Sequence, residues 1–164
     1  PETEAAVKQF QTDKSLEVDG IIGNDTYRAL MQKDMPPNRS GRSAAVRNVI
    51  RAAYSVLGTP YVFGGTSTYG FDCSGFTQYA FARAGISIPR MADSQLYYGR
   101  QISMSELRPG DLIFFSSYEP GASHCGIYLG DGKFIHAGTS TGVVVADAFT
   151  GYWGERYYGA CRVL

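Results

Sequence analysis

A cysteine stands between an aspartate and a serine in the segment YGFDCSGFTQYAFARAG, residues 69–85. Asp72 is a favoured residue type for a helix N-cap, which would leave Cys73 at the first helical position. There the helix dipole and unpaired backbone N–H groups favour a thiolate, and the pKa of such thiols can fall to about 3.5–7.5. Residue types alone leave four roles open for Cys73: a nucleophile, a metal ligand, half of a disulfide or a core side chain.

The chain has two histidines, His124 and His136, and both fall in one predicted hairpin. A nucleophilic thiol needs a base, and the base needs an orienting partner. A two-residue loop at 131–132 would put the imidazoles on opposite faces. A three-residue loop at 130–132 sets Gly126 opposite His136, so that both histidines share a face at a diagonal spacing of about 7–8 Å. We predict the three-residue loop, with His124 as the base for the thiol and His136 holding its ring.

Zinc is the competing use of these residues, because a catalytic zinc takes three protein ligands. Cys73, His124 and His136 would supply three. Cys125 should not join them, since adjacent strand residues point to opposite faces. The sequence has no HExxH motif and no C-x-x-C pair. We therefore expect no metal and no other cofactor.

The elements that must position these residues change character along the chain. A helix is predicted after Ser43 as N-cap, with Val46, Val49, Ile50, Ala53 and Leu57 in one stripe and Gly58 ending it. Further helices are predicted from Cys73 to Ala84 and from Asp93 to Tyr98. Strands are predicted at 111–116, 124–130, 133–137, 142–148 and 159–164. Helices followed by strands indicate an α+β domain, with helices packed on one central antiparallel sheet.

Composition excludes some classes of partner. Fifteen basic and 15 acidic residues cancel, so no global field indicates nucleic acid or an acidic membrane surface. No apolar run approaches the roughly 20 residues that cross a bilayer. No basic-then-apolar leader opens the sequence, so we expect any secretion signal to have been removed or never present.

Ahead of the main domain, short helices are predicted at 4–12 and 25–32. The segment KDMPPNRSGRS breaks every pattern with two prolines, a glycine and polar residues. We therefore divide the chain into a small helical segment at 1–33, a linker at 34–43 and the main domain at 44–164.

The blocks GTPYVFGG, FDCSGFTQYAF, IPR, LRPGDLIFF and SHCGIYLGDGKFIHAG together resemble the NlpC-type papain-like cysteine peptidases of bacterial cell walls. The resemblance covers residues 45 to 164. It implies a papain-like fold with Cys73 as nucleophile, His124 as base and His136 as the orienting residue. It also implies a substrate, the peptide stem of peptidoglycan, cut between D-glutamate and a diamino acid.

The same resemblance implies roles for residues around the trio. Tyr61 matches a tyrosine whose hydroxyl joins the backbone N–H of Cys73 in stabilising the oxyanion. Asp72 and Ser74 match positions that hold the free amino end of the stem peptide, although Asp72 could be only a helix cap. Arg90 matches a recurring arginine that would meet a substrate carboxylate or pin a loop.

Cys125 departs from the family pattern, which has a small apolar residue such as Val there. We interpret it as a core-facing substitute, and a Cys125–Cys161 disulfide stays open if those strands pair.

The opening segment, VKQFQTDKSLEVDGIIGNDTYRAL, resembles the later part of a peptidoglycan-binding helical module. It implies glycan binding by residues 1–33, and a helical extension packed on the catalytic domain is the alternative. Together these features predict a secreted, monomeric bacterial cell-wall endopeptidase. There are two alternatives. The protein could be an enzyme that hydrolyses amides or transfers acyl groups on another substrate, or it could be a catalytically silent wall-binding protein.

Overall fold

The computed structural model describes residues 40–164, so the predicted segment at 1–33 and linker residues 34–39 lie outside the described residues. The helices are α1 (Ser40–Ser55), α2 (Cys73–Arg83), α3 (Ala92–Tyr98) and α4 (Gly151–Gly154), with a 3-10 turn at Met104–Glu106. The strands are β1 (Thr66–Ser67), β2 (Gly70–Phe71), β3 (Arg100–Ile102), β4 (Leu112–Phe115), β5 (His124–Gly130), β6 (Lys133–Gly138), β7 (Gly142–Asp147) and β8 (Tyr157–Arg162).

Within residues 40–164, β3 to β8 form one six-stranded sheet in the order β3-β8-β4-β5-β6-β7. Every neighbouring pair in it is antiparallel. The short strands β1 and β2 form a separate hairpin just before α2. Helices packed on an antiparallel sheet confirm the predicted α+β class. None of the helices described is long and apolar enough to span a bilayer.

The two faces of the sheet carry different sets of side chains. Buried side chains of α1 and α2 pack with Leu112, Phe114, Cys125, Ile127 and Ile135 on one face. The opposite face carries a mainly aromatic cluster: Ile113, Phe115, Tyr128, Phe134 and Ala148, with Trp153 and Tyr157 against them. Because side chains alternate along a strand, Cys125 lies on the helix face and His124 on the aromatic face, as predicted.

The β5–β6 hairpin reaches the predicted register by a different turn. The loop has two residues, Asp131 and Gly132, with φ of 53° and 74°, as a type I′ turn requires. A bulge between Tyr128 and Gly130 then shifts the pairing by one residue, so Ile127 pairs with Ile135. The three-residue loop was therefore wrong, but the extra residue in the bulge restores the shared face of the two histidines.

Some element boundaries also differ from prediction. Helix α1 begins at Ser40 rather than after Ser43, so it includes the last four residues of the predicted linker, 40–43. Its predicted apolar stripe is buried except for Leu57, which follows the helix and is 39% exposed. Strand β3 and helix α4 were not predicted, since both are too short to show a period. The three cysteines are free thiols, and β4 lies between β5 and β8, which separates Cys125 from Cys161.

Candidate active site

Local sequence fixes the thiol at the start of α2. Asp72 has extended backbone (φ −91°, ψ 179°), and its Oδ1 accepts a hydrogen bond of 2.7 Å from the Gly75 N–H. Asp72 is therefore the predicted N-cap, and Cys73 is the first helical residue. The backbone N–H of that position has no partner inside the helix. A Cβ at Gly75 would overlap the carbonyl oxygen of Gly65, so glycine is needed where this turn meets the preceding hairpin.

The two histidines are in direct contact. His124 Nε2 lies 2.8 Å from His136 Nδ1, and the ring planes are 83° apart. Both side chains are buried, at 4% and 2% exposure. Burial, then the charge of His124, lowers the pKa of His136 well below its usual value, so His136 is neutral. When His124 is the imidazolium, the neutral His136 must accept at Nδ1, which makes His124 Nε2 the donor and leaves His124 Nδ1 for the thiol.

Aromatic rings hold both imidazoles in place. Trp153 stacks on His124 with centroids 4.5 Å apart and planes 19° apart. Phe134 stacks on His136 at 4.4 Å and 13°, and Phe115 packs against Phe134 and Trp153. Sequence reasoning missed these residues. Phe134 could have been found, because it lies two residues from His136 on the same strand face, whereas no pattern marked Trp153, the one tryptophan of the chain.

The environment of Cys73 favours the thiolate. Hydrogen bonding from the Cys125 thiol, opposed by burial and assisted by a hydrogen bond and charge from His124, lowers the pKa of Cys73 to about 5. The Cys73 Sγ also lies 3.8 Å from the carbonyl oxygen of Ser123, the residue just before β5. The structure thus brings together the three residues that the sequence singled out, Cys73, His124 and His136.

A cavity of about 700 Å³ opens beside the histidines and is lined by Tyr61, Tyr118, Trp153 and the β7 strand. Tyr61 bridges to Phe71, just before Asp72. Burial and then the nearby Cys73 raise the pKa of Tyr61, so its hydroxyl keeps its proton. Burial, followed by Cys73, raises the pKa of Tyr118 to about 12. Sequence reasoning missed Tyr118, which lies in a loop without a regular pattern.

Asp72, Ser74 and Arg90 form one cluster beside the thiol. The Arg90 guanidinium donates to Asp72 Oδ2 at 2.8 Å and to Ser74 Oγ at 2.7 Å. Asp72 Oδ2 also accepts from the Gly64 N–H at 3.1 Å. Arg90 keeps 33% of its side chain exposed and Asp72 13%. Arg90 therefore holds its loop against the start of α2 through these bonds, while part of its guanidinium still faces solvent.

A buried amide, missed by sequence reasoning, ties this cluster to the helix. Gln95 Nε2 donates to the carbonyls of Ser74 at 3.1 Å and Pro89 at 2.8 Å, and its Oε1 accepts from Thr77 at 2.7 Å. Gln95 thus fixes the segment bearing Arg90 against the first turn of α2. Across residues 40–164, no group of three or more His, Cys, Asp or Glu side chains is arranged to hold a metal ion.

Two family models match parts of the chain. The NlpC/P60 family model matches residues 58–162. A peptidoglycan binding domain model matches residues 1–30, where the sequence predicted part of such a module. The second match lies outside the described residues.

Two relatives show the range of named activities. Gamma-DL-glutamyl hydrolase of Bacillus subtilis is 43% identical over 117 residues, which are 70% of this chain and 28% of that protein. Murein DD-endopeptidase MepS/Murein LD-carboxypeptidase of Escherichia coli is 43% identical over 145 residues, 87% of this chain and 76% of that protein. The chain thus spans less than a third of the length of the first relative.

Solved structures share the fold. An NlpC/P60 family protein from Bacillus cereus superposes with a TM-score of 0.68 and 38% identity, covering 73% of this chain and 40% of that one. RipD of Mycobacterium tuberculosis, described as a non-catalytic NlpC/p60 domain protein, gives a TM-score of 0.62 and 30% identity, covering 73% and 98%. The fold therefore occurs both with and without catalysis.

Proposed function

The chain belongs to the NlpC/P60 family, and we propose that it is a peptidoglycan hydrolase. It acts as a cysteine endopeptidase that cuts stem peptides between D-glutamate and the following diamino acid. The observation that carries the proposal is the thiol at the start of α2, its pKa lowered to about 5 beside a buried histidine pair. A low-pKa thiol with an oriented base is the arrangement that acyl transfer requires.

In the reaction, the Cys73 thiolate attacks the scissile carbonyl carbon and forms a tetrahedral intermediate. The backbone N–H of Cys73 and the hydroxyl of Tyr61 donate to its oxyanion. Protonated His124 gives its proton to the leaving amine as the C–N bond breaks, which leaves a thioester on Cys73. His124 then takes a proton from water as the water attacks the thioester. The C–S bond breaks, the thiolate and imidazolium return, and the peptide leaves as a carboxylic acid that gives its proton to solvent. Within the catalytic trio His136 contacts His124, and its role is to orient that ring.

Asp72, Ser74 and Arg90 form the binding site for the free amino end of the stem peptide in this proposal. An ionised Asp72 attracts an ammonium group, and the small Ser74 hydroxyl leaves room for it. Arg90 offsets part of the Asp72 charge through its 2.8 Å ion pair, which limits how strongly a lone cation binds. The solvent-facing part of the guanidinium is placed for a peptide carboxylate.

The names of the two relatives specify different bonds in peptidoglycan, so the experiment must identify which bond this protein cuts. Purified muropeptides, including cross-linked ones, are incubated with the protein and the products are identified by mass spectrometry. We expect fragments ending in D-glutamate, with the cross-links intact. Products separated only at cross-links would favour a DD-endopeptidase, as the E. coli relative is named.

A binding protein without catalysis is the second candidate, because RipD is described in that way. The contact between His124 and His136, together with the Cys73 Sγ lying 3.8 Å from the carbonyl oxygen of Ser123, the residue before His124, favours the enzyme. Alkylation by iodoacetamide at neutral pH separates the two: we expect Cys73 to react faster than a model thiol. Reaction no faster than the model thiol, with every muropeptide left intact, would favour the binding protein.

For the whole chain we propose a catalytic domain from residue 40, since α1 begins there, preceded by a shorter linker at 34–39. Residues 1–33, which resemble part of a peptidoglycan-binding module, would hold glycan strands. A protein acting on peptidoglycan works outside the cytoplasmic membrane, so we propose a secreted, cell-wall location and action as a monomer. Size-exclusion chromatography with light scattering tests the monomer.

A further inference from the structure

Gln95 lies where α2, α3 and the segment between them meet. It is a fully buried residue of α3. Its Nε2 donates to the carbonyl oxygen of Ser74 at 3.1 Å and to that of Pro89 at 2.8 Å. Ser74 directly follows Cys73 on α2, and Pro89 directly precedes Arg90. One amide group therefore bonds to the backbone beside the thiol and to the backbone beside the cation.

The orientation of the Gln95 amide is fixed by its partners. Backbone carbonyls only accept hydrogen bonds, so the amide nitrogen must face Ser74 and Pro89 and the amide oxygen must face the other way. There Oε1 accepts from the Thr77 hydroxyl at 2.7 Å, and Thr77 is itself fully buried on α2. The nitrogen and the oxygen of the amide thus both have partners, which makes this side chain a rigid bridge between α2 and the segment before α3.

The place of Arg90 depends on the backbone that carries it. The guanidinium donates to Ser74 Oγ at 2.7 Å and to Asp72 Oδ2 at 2.8 Å, and part of the side chain stays exposed. An ion pair that solvent reaches holds a long side chain weakly, because solvent screens the charges and ordering the side chain costs entropy. The backbone at Pro89 is held by a fully buried amide instead. The position of the cation relative to Asp72 therefore depends on Gln95.

We propose that Gln95 is a positioning residue for substrate binding, whose buried amide holds the segment before Arg90 in the place where its guanidinium pairs with Asp72. The inference rests on the proposed function, in which this cluster binds the free amino end of the stem peptide. Gln95 touches no substrate there and acts through Arg90 alone. Its loss should therefore raise KM and leave kcat unchanged, because the thiol and its base keep their contacts.

Gln78 offers a matched control on α2. Its Nε2 donates to the carbonyl oxygen of Ile88 at 3.0 Å, in the same segment between α2 and α3. The bond joins α2 to this segment as the Gln95 bonds do, but its acceptor is Ile88 rather than Ser74 or Pro89. Gln78→Met thus removes an amide-to-carbonyl bond of the same kind and leaves the Gln95 bridge in place.

The first test measures Arg90 without any substrate. Phenylglyoxal modifies arginine guanidinium groups, and mass spectrometry of the peptide that contains Arg90 gives the rate of its modification. We expect Gln95→Met, which keeps the length of the side chain but donates no hydrogen bond, to raise that rate about fivefold. Gln78→Met should keep the wild-type rate. An unchanged rate in folded Gln95→Met would overturn the proposal, and so would an equal rise in Gln78→Met.

The second test separates positioning from a general loss of structure. With a stem peptide that has a free amino end, we expect Gln95→Met to raise KM about fivefold at an unchanged kcat. In the Arg90→Ala background the same substitution should have no further effect on KM, because the residue through which it acts is gone. A fall in kcat alone, or the full rise in KM in the Arg90→Ala background, would contradict the proposal.

Thermal melts show which variants fold. If Gln95→Met does not fold, Gln95→Ala takes its place in both tests, because water can enter the vacated space and bond to the two carbonyls. If wild type cuts no stem peptide, the proposed function fails, and the modification rate of Arg90 alone decides whether Gln95 positions it.

Discussion

His124 Nε2 and His136 Nδ1 lie 2.8 Å apart within a buried aromatic box. When His124 is the imidazolium, the neutral His136 must accept this bond, so its proton belongs to His124 and the other nitrogen of His124 is free to serve the thiol. Among residues 40–164 the Nε2 of His136 has no hydrogen-bond partner. The contact that fixes the orientation and tautomer of the proposed base thus leaves the buried Nε2 of His136 without a hydrogen bond.

The first prediction concerns what His136 must provide. Asparagine can place an acceptor oxygen near the position of Nδ1, whereas alanine cannot. We expect His136→Asn to keep most of the activity and His136→Ala to lose about 10²-fold in kcat/KM, within the range typical of general acid–base catalysis. Steady-state cleavage of a stem peptide measures this. Equal losses in the two variants would mean that the ring acts by packing alone.

A second prediction follows from the burial of His136. Its pKa in the folded protein lies well below 6.5, whereas in the unfolded chain it titrates near that value. Below about pH 6.5 the unfolded state therefore binds a proton that the folded state does not. The free energy of unfolding consequently decreases as the pH is lowered. We expect the drop in Tm between about pH 8 and about pH 5.5 to be smaller in His136→Asn than in wild type. An identical drop in both proteins would contradict this assignment.

Tyr61 provides the third prediction. Phenylalanine keeps the ring but removes the hydroxyl that would donate to the oxyanion. We expect Tyr61→Phe to lower kcat by about 10²–10³ with little change in KM. Tyr79→Phe is a matched control, since Tyr79 packs on Phe71 and does not line the cavity. A wild-type kcat in Tyr61→Phe would remove Tyr61 from the mechanism.

The fourth prediction separates two roles of Asp72. Asparagine is also a good N-cap, so Asp72→Asn can keep the bond from Gly75 while losing the charge. Hydrogen bonds to charged groups contribute about 1.5–3 kcal/mol, so kcat/KM should fall by about tenfold or more for peptides with a free amino end. For N-acetylated peptides, kcat/KM of Asp72→Asn should equal that of wild type. An equal loss of kcat/KM on both kinds of peptide would show that Asp72 does not bind the free amino group.

The sequence predicts the parts of the site that depend on local chemistry. An aspartate before a cysteine predicts the N-cap and a first helical N–H without a partner inside the helix, and alternation along β5 and β6 predicts which residues share a face. The loop length predicted for the β5–β6 hairpin was wrong. A two-residue turn followed by a bulge pairs β5 with β6 in the same register beyond Tyr128 as a three-residue loop would. Sequence spacing cannot distinguish them.

Contacts between distant segments were beyond the sequence. Trp153 belongs to a four-residue helix without a periodic pattern, so its stacking on His124 depends on how β7 and β8 are joined. The Arg90–Asp72 ion pair and the Gln95 amide likewise join segments that only the packed fold brings together. Sequence reasoning gave Cys125 its correct face but not its contacts with Thr77 and Gln95, since strand alternation fixes direction and not distance.

The central claim is that Cys73 is the nucleophile for cleavage after D-glutamate. Its most direct test is to incubate wild type and Cys73→Ala with a defined stem peptide that contains D-glutamate followed by a diamino acid, and to identify the products by mass spectrometry. We expect wild type to release a fragment ending in D-glutamate and Cys73→Ala, folded by its thermal melt, to release none. Cleavage of that bond by Cys73→Ala, or none by wild type, would contradict the claim.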